Sequence, residues 1–196
     1  MADQVVEAKY VTEEELLALG SDARVEVVNG EIVEMSPSGE EEHHDIAGNI
    51  HDLLKQFVKQ HRLGRVYMDG LIYILSESEQ GLKGARVPDV SFIRKGTLAK
   101  DRDRRKPIHA APTLAVEVMS PDDDPDDMLI KVREYLAAGT EQVWVVYPRP
   151  KEVHQYKRNE ATVTTYRLDD TLTADDLFPG LKIALSDVFA VDEETE

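Results

Sequence analysis

The first part of the chain alternates between stretches of helical and of strand periodicity. Residues 12–15 form a capping box ahead of an apolar run that ends at Gly20, which predicts a short helix. The runs at 24–28 and 31–35 flank Asn29-Gly30, a pair typical of a hairpin turn. Apolar residues then recur at helical spacing from about residue 41 to 61, which predicts one long helix.

The second half predicts strands around a second helix. Asp124-Pro125 supplies a capping side chain and a proline at the first helical position, and Gly139 ends the helix. The runs at 113–119 and 142–147 on either side are too apolar to alternate, which is typical of strands buried on both faces. Strand, helix and strand in this order predict a right-handed crossover that joins a parallel pair. Further strands are predicted at 65–68, 71–75, 89–93, 153–157, 163–168 and 181–185.

These elements predict an α/β fold with a mixed central sheet flanked by helices, with one hairpin near the N-terminus and another near the C-terminus. No internal repeat or low-complexity linker divides the chain, so we predict one domain over residues 1–196. Its core spans about 12–189, and 190–196 form an acidic tail. Residues 95–108 are predicted to form a polar loop.

The composition excludes several kinds of site. The 196 residues include no cysteine, which excludes disulfides, thiolate zinc sites, iron–sulfur clusters and cysteine nucleophiles. No apolar run is long enough to span a bilayer and no signal peptide is visible, so we expect a cytoplasmic protein without a membrane partner. The net charge of −16 argues against a nucleic-acid partner, because cations supply most of the affinity for phosphates.

Glu117 is the one charged residue in the buried run 113–119. An ionised carboxylate there is costly unless it is paired or bound to a metal. Asp89 opens another predicted strand, and Lys131 lies on the helix that follows Glu117. Two carboxylates and the main-chain carbonyl of Val118 are the hard oxygen ligands that Mg²⁺ prefers, and an ammonium group can stabilise transition-state charge. The combination suggests a metal-dependent phosphodiesterase.

One basic segment opposes the acidic background. Between residues 94 and 106, seven basic side chains and two aspartates give a net charge of +5. The segment connects Asp89 to Glu117 in sequence, where a substrate phosphate would lie, so we predict that it binds nucleic acid. A solvated loop is the alternative. The basic residues are Arg94, Lys95, Lys100, Arg102, Arg104, Arg105 and Lys106.

A longer pattern resembles a known family. Its parts are residues 24–37, His43, Pro88-Asp89-Val90, residues 117–121, Asp127, Lys131 and Tyr135 at intervals of four, and Trp144-Val145-Val146 after Gly139. On these motifs the chain, from about residue 12 to 189, is similar to the Uma-two family of restriction-endonuclease-like proteins, in the PD-(D/E)XK nuclease superfamily.

The resemblance implies a restriction-endonuclease-like fold and an endonuclease that hydrolyses phosphodiester bonds of nucleic acid, with DNA as the expected substrate. It implies that Asp89 and Glu117 bind Mg²⁺ or Mn²⁺, and Val118 can supply a third ligand. Met119 stands where the superfamily has a lysine, and Lys131 matches the place to which that lysine moves in this family. A homodimer is expected by analogy, because two active sites are needed to cut two strands.

Two further residues are candidates for the catalytic site. His43 could donate a hydrogen bond to phosphate, and it faces away from His44 because neighbours on a helix point in different directions. A structural or solvated histidine is the alternative. Glu26 and Glu31 flank the hairpin turn on different sides of their strands, and the family motif favours Glu26.

The residues alone leave other interpretations open. Glu117 could form a buried ion pair with an arginine or lysine, and Asp89 could cap backbone at the start of its strand. Lys131 could pair with Asp127, one helical turn earlier. Met119 and the net charge favour a second function, a catalytically degenerate nuclease-fold module that binds or assembles. Serine-hydrolase and zinc-peptidase motifs are absent from the sequence.

Overall fold

A computed structural model describes residues 10–20, 23–35 and 41–191 of the chain. The helices are α1 Glu13–Ala18, α2 Glu41–His61, α3 Pro125–Ala138 and α4 Leu185–Val188. The strands are β1 Val25–Val28, β2 Glu31–Glu34, β3 Gly64–Met68, β4 Tyr73–Ser78, β5 Gly81–Arg86, β6 Val90–Arg94, β7 Leu114–Val118, β8 Gln142–Tyr147, β9 Glu152–Lys157, β10 Val163–Arg167, β11 Thr171–Leu172 and β12 Ile183–Ala184.

Most of the described strands belong to two sheets. The central sheet has the order β10-β9-β8-β7-β6-β3, and the second sheet has the order β2-β1-β5-β4. Strands β7 and β8 pair in parallel, with Glu117 opposite Val145, and α3 makes the predicted crossover between them. The other pairs of the central sheet are antiparallel, so the sheet is mixed as predicted.

Helix α2 covers one face of the central sheet. Its residues Ile50 and Leu54 belong to one apolar cluster with Phe92 of β6 and Val116 of β7. All of these side chains are nearly inaccessible to solvent. The helical spacing of the apolar residues therefore packs α2 lengthwise against the sheet.

Helix α3 covers the opposite face. Its residues Val132 and Tyr135 cluster with Ala115 of β7 and Val143 of β8. Because successive side chains of a strand point to opposite faces, Glu117 lies on the same face as Ala115 and is directed towards α3. The alternation of side chains along β7 therefore determines that α3 is the helix that contacts the Glu117 carboxylate.

Local sequence signals explain where several elements begin and end. Thr12 and Glu15 form the predicted capping box, with hydrogen bonds of 3.1 and 2.9 Å. Asn29-Gly30 adopts φ angles of 52° and 87°, as the tight turn between β1 and β2 requires. Asp124 accepts a hydrogen bond from the first turn of α3, and Gly139 ends that helix in the left-handed conformation.

Strand β5 lies where the sequence suggested only a turn. Its two glycines weaken the strand pattern, although close packing explains both of them. A Cβ atom on Gly81 would lie 2.7 Å from the carbonyl oxygen of Val11, and one on Gly84 would lie 3.0 Å from Oγ of Ser76. As a result, β5 joins the N-terminal hairpin to β4 and completes a second sheet that was not predicted.

The C-terminal region also differs from its prediction. The expected strand at 181–185 is shortened to β12, which pairs with the unpredicted β11 and leads into α4. Residues 192–196 of the predicted acidic tail lie outside the described residues. In the described part of the chain, no helix combines the length and the apolar composition needed to cross a membrane. The single domain stays a prediction.

Candidate active site

Asp89 and Glu117 meet at one end of the central sheet. Asp89 immediately precedes β6 and Glu117 lies in β7, and the register pairs Val90 with Val116. The two acidic residues are only 7% and 3% exposed. Antiparallel pairing of β6 and β7 therefore brings together two acids that are distant in sequence.

Asp89 contacts both backbone and an imidazole. Its Oδ2 accepts a hydrogen bond of 2.7 Å from the Val118 N–H and lies 3.4 Å from Nε2 of His43 on α2. Burial lowers the pKa of His43, but the hydrogen bond and charge of Asp89 outweigh burial and raise the pKa overall. Asp89 therefore caps the backbone of β7, the neighbouring strand, and not the backbone of its own strand β6. It also favours the charged form of His43.

Glu117 is held by two side chains of α3. Lys131 Nζ lies 2.9 Å from Oε2, and the Tyr135 hydroxyl donates a hydrogen bond of 2.8 Å to Oε1. Burial raises the pKa of Glu117; Lys131 opposes this shift, whereas the charges of Asp89 and Glu26 add to it. The site therefore holds more negative charge than its lysine neutralises.

Glu26 reaches the site from β1 of the second sheet. Its Oε1 lies 3.0 Å from Lys131 Nζ and accepts a hydrogen bond of 3.0 Å from the Val87 N–H, while Oε2 accepts one of 2.6 Å from Arg86. Burial opposes its ionisation, but Lys131, Arg86 and the Val87 N–H prevail and lower the pKa of Glu26. Glu31, the other acid of the hairpin, is exposed to solvent.

Arg86 is a buried residue of this network that sequence reasoning missed. The guanidinium group contacts Glu26 on one side and Glu134 of α3 on the other, with distances of 2.8 and 2.6 Å to Glu134 Oε2. It thereby joins the second sheet to α3 beneath the candidate site. The one sequence signal that could have pointed to Arg86 is its position two residues before Pro88-Asp89. That signal was missed because β5 had not been predicted as a strand.

Lys131 pairs with carboxylates from two different sheets. Its contacts are Glu117 and Glu26, whereas Asp127, the alternative partner one turn earlier, is exposed. Burial lowers the pKa of Lys131, but the two carboxylates outweigh burial and raise it, so the ammonium group stays charged. The buried ion pair considered for Glu117 is therefore present, and it is made with the predicted catalytic lysine.

The donor set fits a hard dication that keeps several water ligands. Among the described residues, no group of three or more His, Asp or Glu side chains is arranged to hold a metal. Mg²⁺ is commonly bound through only one or two carboxylates. Asp89 and Glu117 are two such carboxylates, and the Val118 carbonyl belongs to the same strand end. A dication would favour the ionised form of Glu117 against burial and against the charges of Asp89 and Glu26, which together raise its pKa.

The predicted basic cluster is not located at the carboxylates. Asp89 precedes β6 and Arg94 ends it, so the two lie at opposite ends of the strand, roughly 16 Å apart at about 3.3 Å per residue. Arg105 pairs with Asp103, and Lys106 lies 3.6 Å from Glu13. The expected position of the basic cluster beside Asp89 and Glu117 is therefore wrong, because β6 leads the chain away from them. Five members, Arg94, Lys95, Lys100, Arg102 and Arg104, line a separate cavity.

Comparisons with known proteins identify the family and the fold. A family model described as "Uma2: Putative restriction endonuclease" matches residues 13–186. A crystal structure titled as "a putative nuclease belonging to DUF820" from Anabaena variabilis is similar to the chain with a TM-score of 0.75. The two are 20% identical, and the match covers 91% of this chain and 97% of that one. No curated protein matches the chain. The structural likeness confirms the predicted restriction-endonuclease-like fold.

Proposed function

The chain belongs to the Uma2 family, whose description as restriction endonucleases supports a nuclease function, and we propose that it is a divalent-metal-dependent endonuclease acting on DNA. One observation carries the proposal. A buried Glu117–Lys131 pair lies at the strand end where Asp89 is also buried. Buried charges clustered in this way are costly for stability alone and are typical of sites that perform chemistry.

Each residue has a distinct role in the proposed reaction. Asp89, Glu117 and the Val118 carbonyl would hold Mg²⁺ or Mn²⁺, which supplies polarisation of the phosphate and a water of lowered pKa. Lys131, charged and fixed by its carboxylate partners, orients the attacking water or stabilises charge that develops on the phosphate. Glu26 positions that ammonium group from the opposite side.

His43 has a different place in the proposal. Its Nε2 lies beside Asp89, and Nδ1 is buried without a hydrogen-bond partner in the described part of the chain. A buried polar atom of this kind is costly unless a further group satisfies it. We assign His43 the role of holding Asp89 in place through Nε2, whereas a hydrogen bond to a substrate phosphate would require the buried Nδ1 to become accessible.

We propose that the basic segment after β6 binds the phosphate backbone at a distance from the cut. Its net charge of +5 contrasts with −16 for the whole chain, and a local positive surface can offset long-range repulsion of DNA. A homodimer is also part of the proposal, by analogy with nucleases that cut both strands. Light scattering at several protein concentrations measures the oligomeric state directly.

Cleavage of plasmid DNA with Mg²⁺ or Mn²⁺ tests the proposed activity. We expect cutting by the wild type, none with EDTA, and none by Glu117→Gln or Asp89→Asn. Glu160→Gln, which alters an exposed acid in the turn after β9, is the matched control and should cut normally. Circular dichroism checks that each variant is folded. Full activity of the Glu117→Gln, Asp89→Asn double variant would refute the assignment.

A catalytically degenerate binding module is the second candidate. Met119 favours it, because this buried thioether cannot replace the lysine that the superfamily carries at that position. Calorimetry distinguishes the two functions. The endonuclease proposal expects uptake of Mn²⁺ that is lost in Asp89→Asn, whereas the degenerate module expects no uptake by the wild type.

A further inference from the structure

A cavity of about 820 Å³ lies at the far end of α2, between that helix, β3 and the loop after β6. We call it the basic cavity. Four of its cations come from α2, β3 and the turn between them, namely Lys55, Lys59, Arg62 and Arg65. The remaining five are Arg94 at the end of β6 and four cations of the loop that follows it. No acidic residue is found in this lining.

Almost none of these cations has a partner in the described part of the chain. Arg94 pairs with Glu141 at 2.6 Å, and the other eight have no carboxylate within ion-pair distance among the described residues. The chain carries 39 acidic residues against 23 basic ones, so unpaired cations clustered here are unexpected. Mutual repulsion of like charges disfavours the cluster unless an anion binds to it.

The lining of the basic cavity includes apolar side chains and one aromatic ring. Val66 of β3 packs on the side of α2, whereas Tyr67 of β3 packs on the other face of the strand with Ile93 of β6 and Leu98 of the loop. Aromatic side chains beside cations are typical of sites where a base stacks while its phosphates are neutralised. The volume also lies in the range of pockets that enclose a small ligand. A flat group that carries several negative charges matches this combination of an aromatic ring with many cations.

The basic cavity is separate from the candidate active site. His43 is near the start of α2 and contacts Asp89, whereas Lys59 is near its end and lines the cavity. About 24 Å of helix separates these two residues, at a rise of about 1.5 Å per residue. A ligand of nucleotide size in the cavity therefore cannot touch the carboxylates.

We propose that the basic cavity binds a phosphorylated nucleotide, either free or as an unpaired unit of a nucleic-acid strand. The unpaired cations bind the phosphates and the ring of Tyr67 contacts the base. Binding requires neither a metal ion nor hydrolysis, so it is independent of the proposed nuclease activity, and either can fail alone.

Binding measured in EDTA tests the proposal. The probes are ATP, a labelled single-stranded oligonucleotide and a duplex of the same sequence. The cavity variant combines Lys59→Glu with Arg65→Glu. Its control combines Lys83→Glu with Arg133→Glu, which changes the charge equally at exposed positions of β5 and α3. Thermal unfolding confirms that both variants are folded.

We expect ATP or the single strand to bind the wild type and the control, and to bind the cavity variant at least about tenfold more weakly. Binding of ATP identifies a free nucleotide as a ligand, and binding of the single strand alone identifies an unpaired unit of a strand. The proposal is overturned if neither probe binds, if only the duplex binds, or if the control loses as much affinity as the cavity variant.

Discussion

The two ends of α2 meet charged groups in opposite ways. At its start, His43 joins a buried network in which Asp89, Glu117 and Lys131 contact partners within the chain. At its end, Lys55, Lys59 and Arg62 are exposed and have no acidic partner among the described residues. The charged groups at the start of α2 are neutralised largely by other side chains of the protein. Those at its end can be neutralised only by solvent ions or by a ligand.

The difference between the two ends shows that burial determines whether a charged side chain affects mainly folding stability or mainly binding. Buried charges must be paired, so a substitution that removes one partner is costly to stability. Exposed cations are solvated and screened by salt, so their removal scarcely affects folding but changes binding of anions. The comparison therefore predicts large stability effects at one end of α2 and small ones at the other.

Lys131→Met should have the largest effect on stability. It leaves Glu117 and Glu26 buried near each other without the ammonium group between them. We expect a loss of about 3 kcal/mol in the free energy of unfolding at neutral pH. Urea unfolding in EDTA measures it, and Arg133→Met on the exposed side of α3 is the control. Equal losses in the two variants would contradict the inferred network.

Arg86→Met should rank second. Glu26 keeps Lys131 and the Val87 N–H as partners, and Glu134 is 31% exposed and can be solvated again. We therefore expect a smaller loss of about 2 kcal/mol. A double-mutant cycle with Glu134→Gln isolates the pair. Strictly additive losses would show that Arg86 and Glu134 are not coupled.

Glu26→Gln should show a pH-dependent effect. Because the folded state lowers the pKa of Glu26 below the unfolded value of about 4.5, its ionised form stabilises the fold above that pH. This contribution is lost as the pH falls through the folded-state pKa. We expect the variant to be less stable than the wild type at neutral pH by about 1 kcal/mol, and the difference to shrink in acid. A gap that widens on acidification would contradict the direction of the shift.

The sequence predicted the elements and acids whose signals are local. The α2 pattern, the Asp124 cap and the apolar strands around α3 fix their own positions, and the structure has them there. Asp89 and Glu117 were identified because a charge in or beside an apolar strand is rare, whereas Lys131 was identified from its place on the following helix and from the family resemblance. Asp89 and Glu117 come together through the pairing of β6 and β7, two strands that are consecutive in the sequence.

Two features depended on contacts that the sequence pattern does not encode. Arg86 lies in β5, a strand whose glycines weaken its pattern in the sequence. It bridges Glu26 and Glu134 only because the second sheet packs beside α3. The basic cavity joins Lys59 and Arg65 to a loop about thirty residues further along the chain. The loop was recognised as basic, but its partners and its distance from the carboxylates follow from the direction of β6.

Lys55→Gln should have the smallest effect, with a sign opposite to that of Lys131→Met. It removes one of several unpaired cations from an exposed helical position, and glutamine and lysine have similar helix propensities. Because repulsion among the cations of the basic cavity is reduced, the protein should be more stable by roughly 0.3 kcal/mol at low salt. The gain should vanish at high salt, where exposed charges are screened. Arg94→Gln, which breaks the ion pair with Glu141, is the control and should not stabilise. A loss for Lys55→Gln as large as that for Lys131→Met would show that both ends of α2 depend on internal charge pairing.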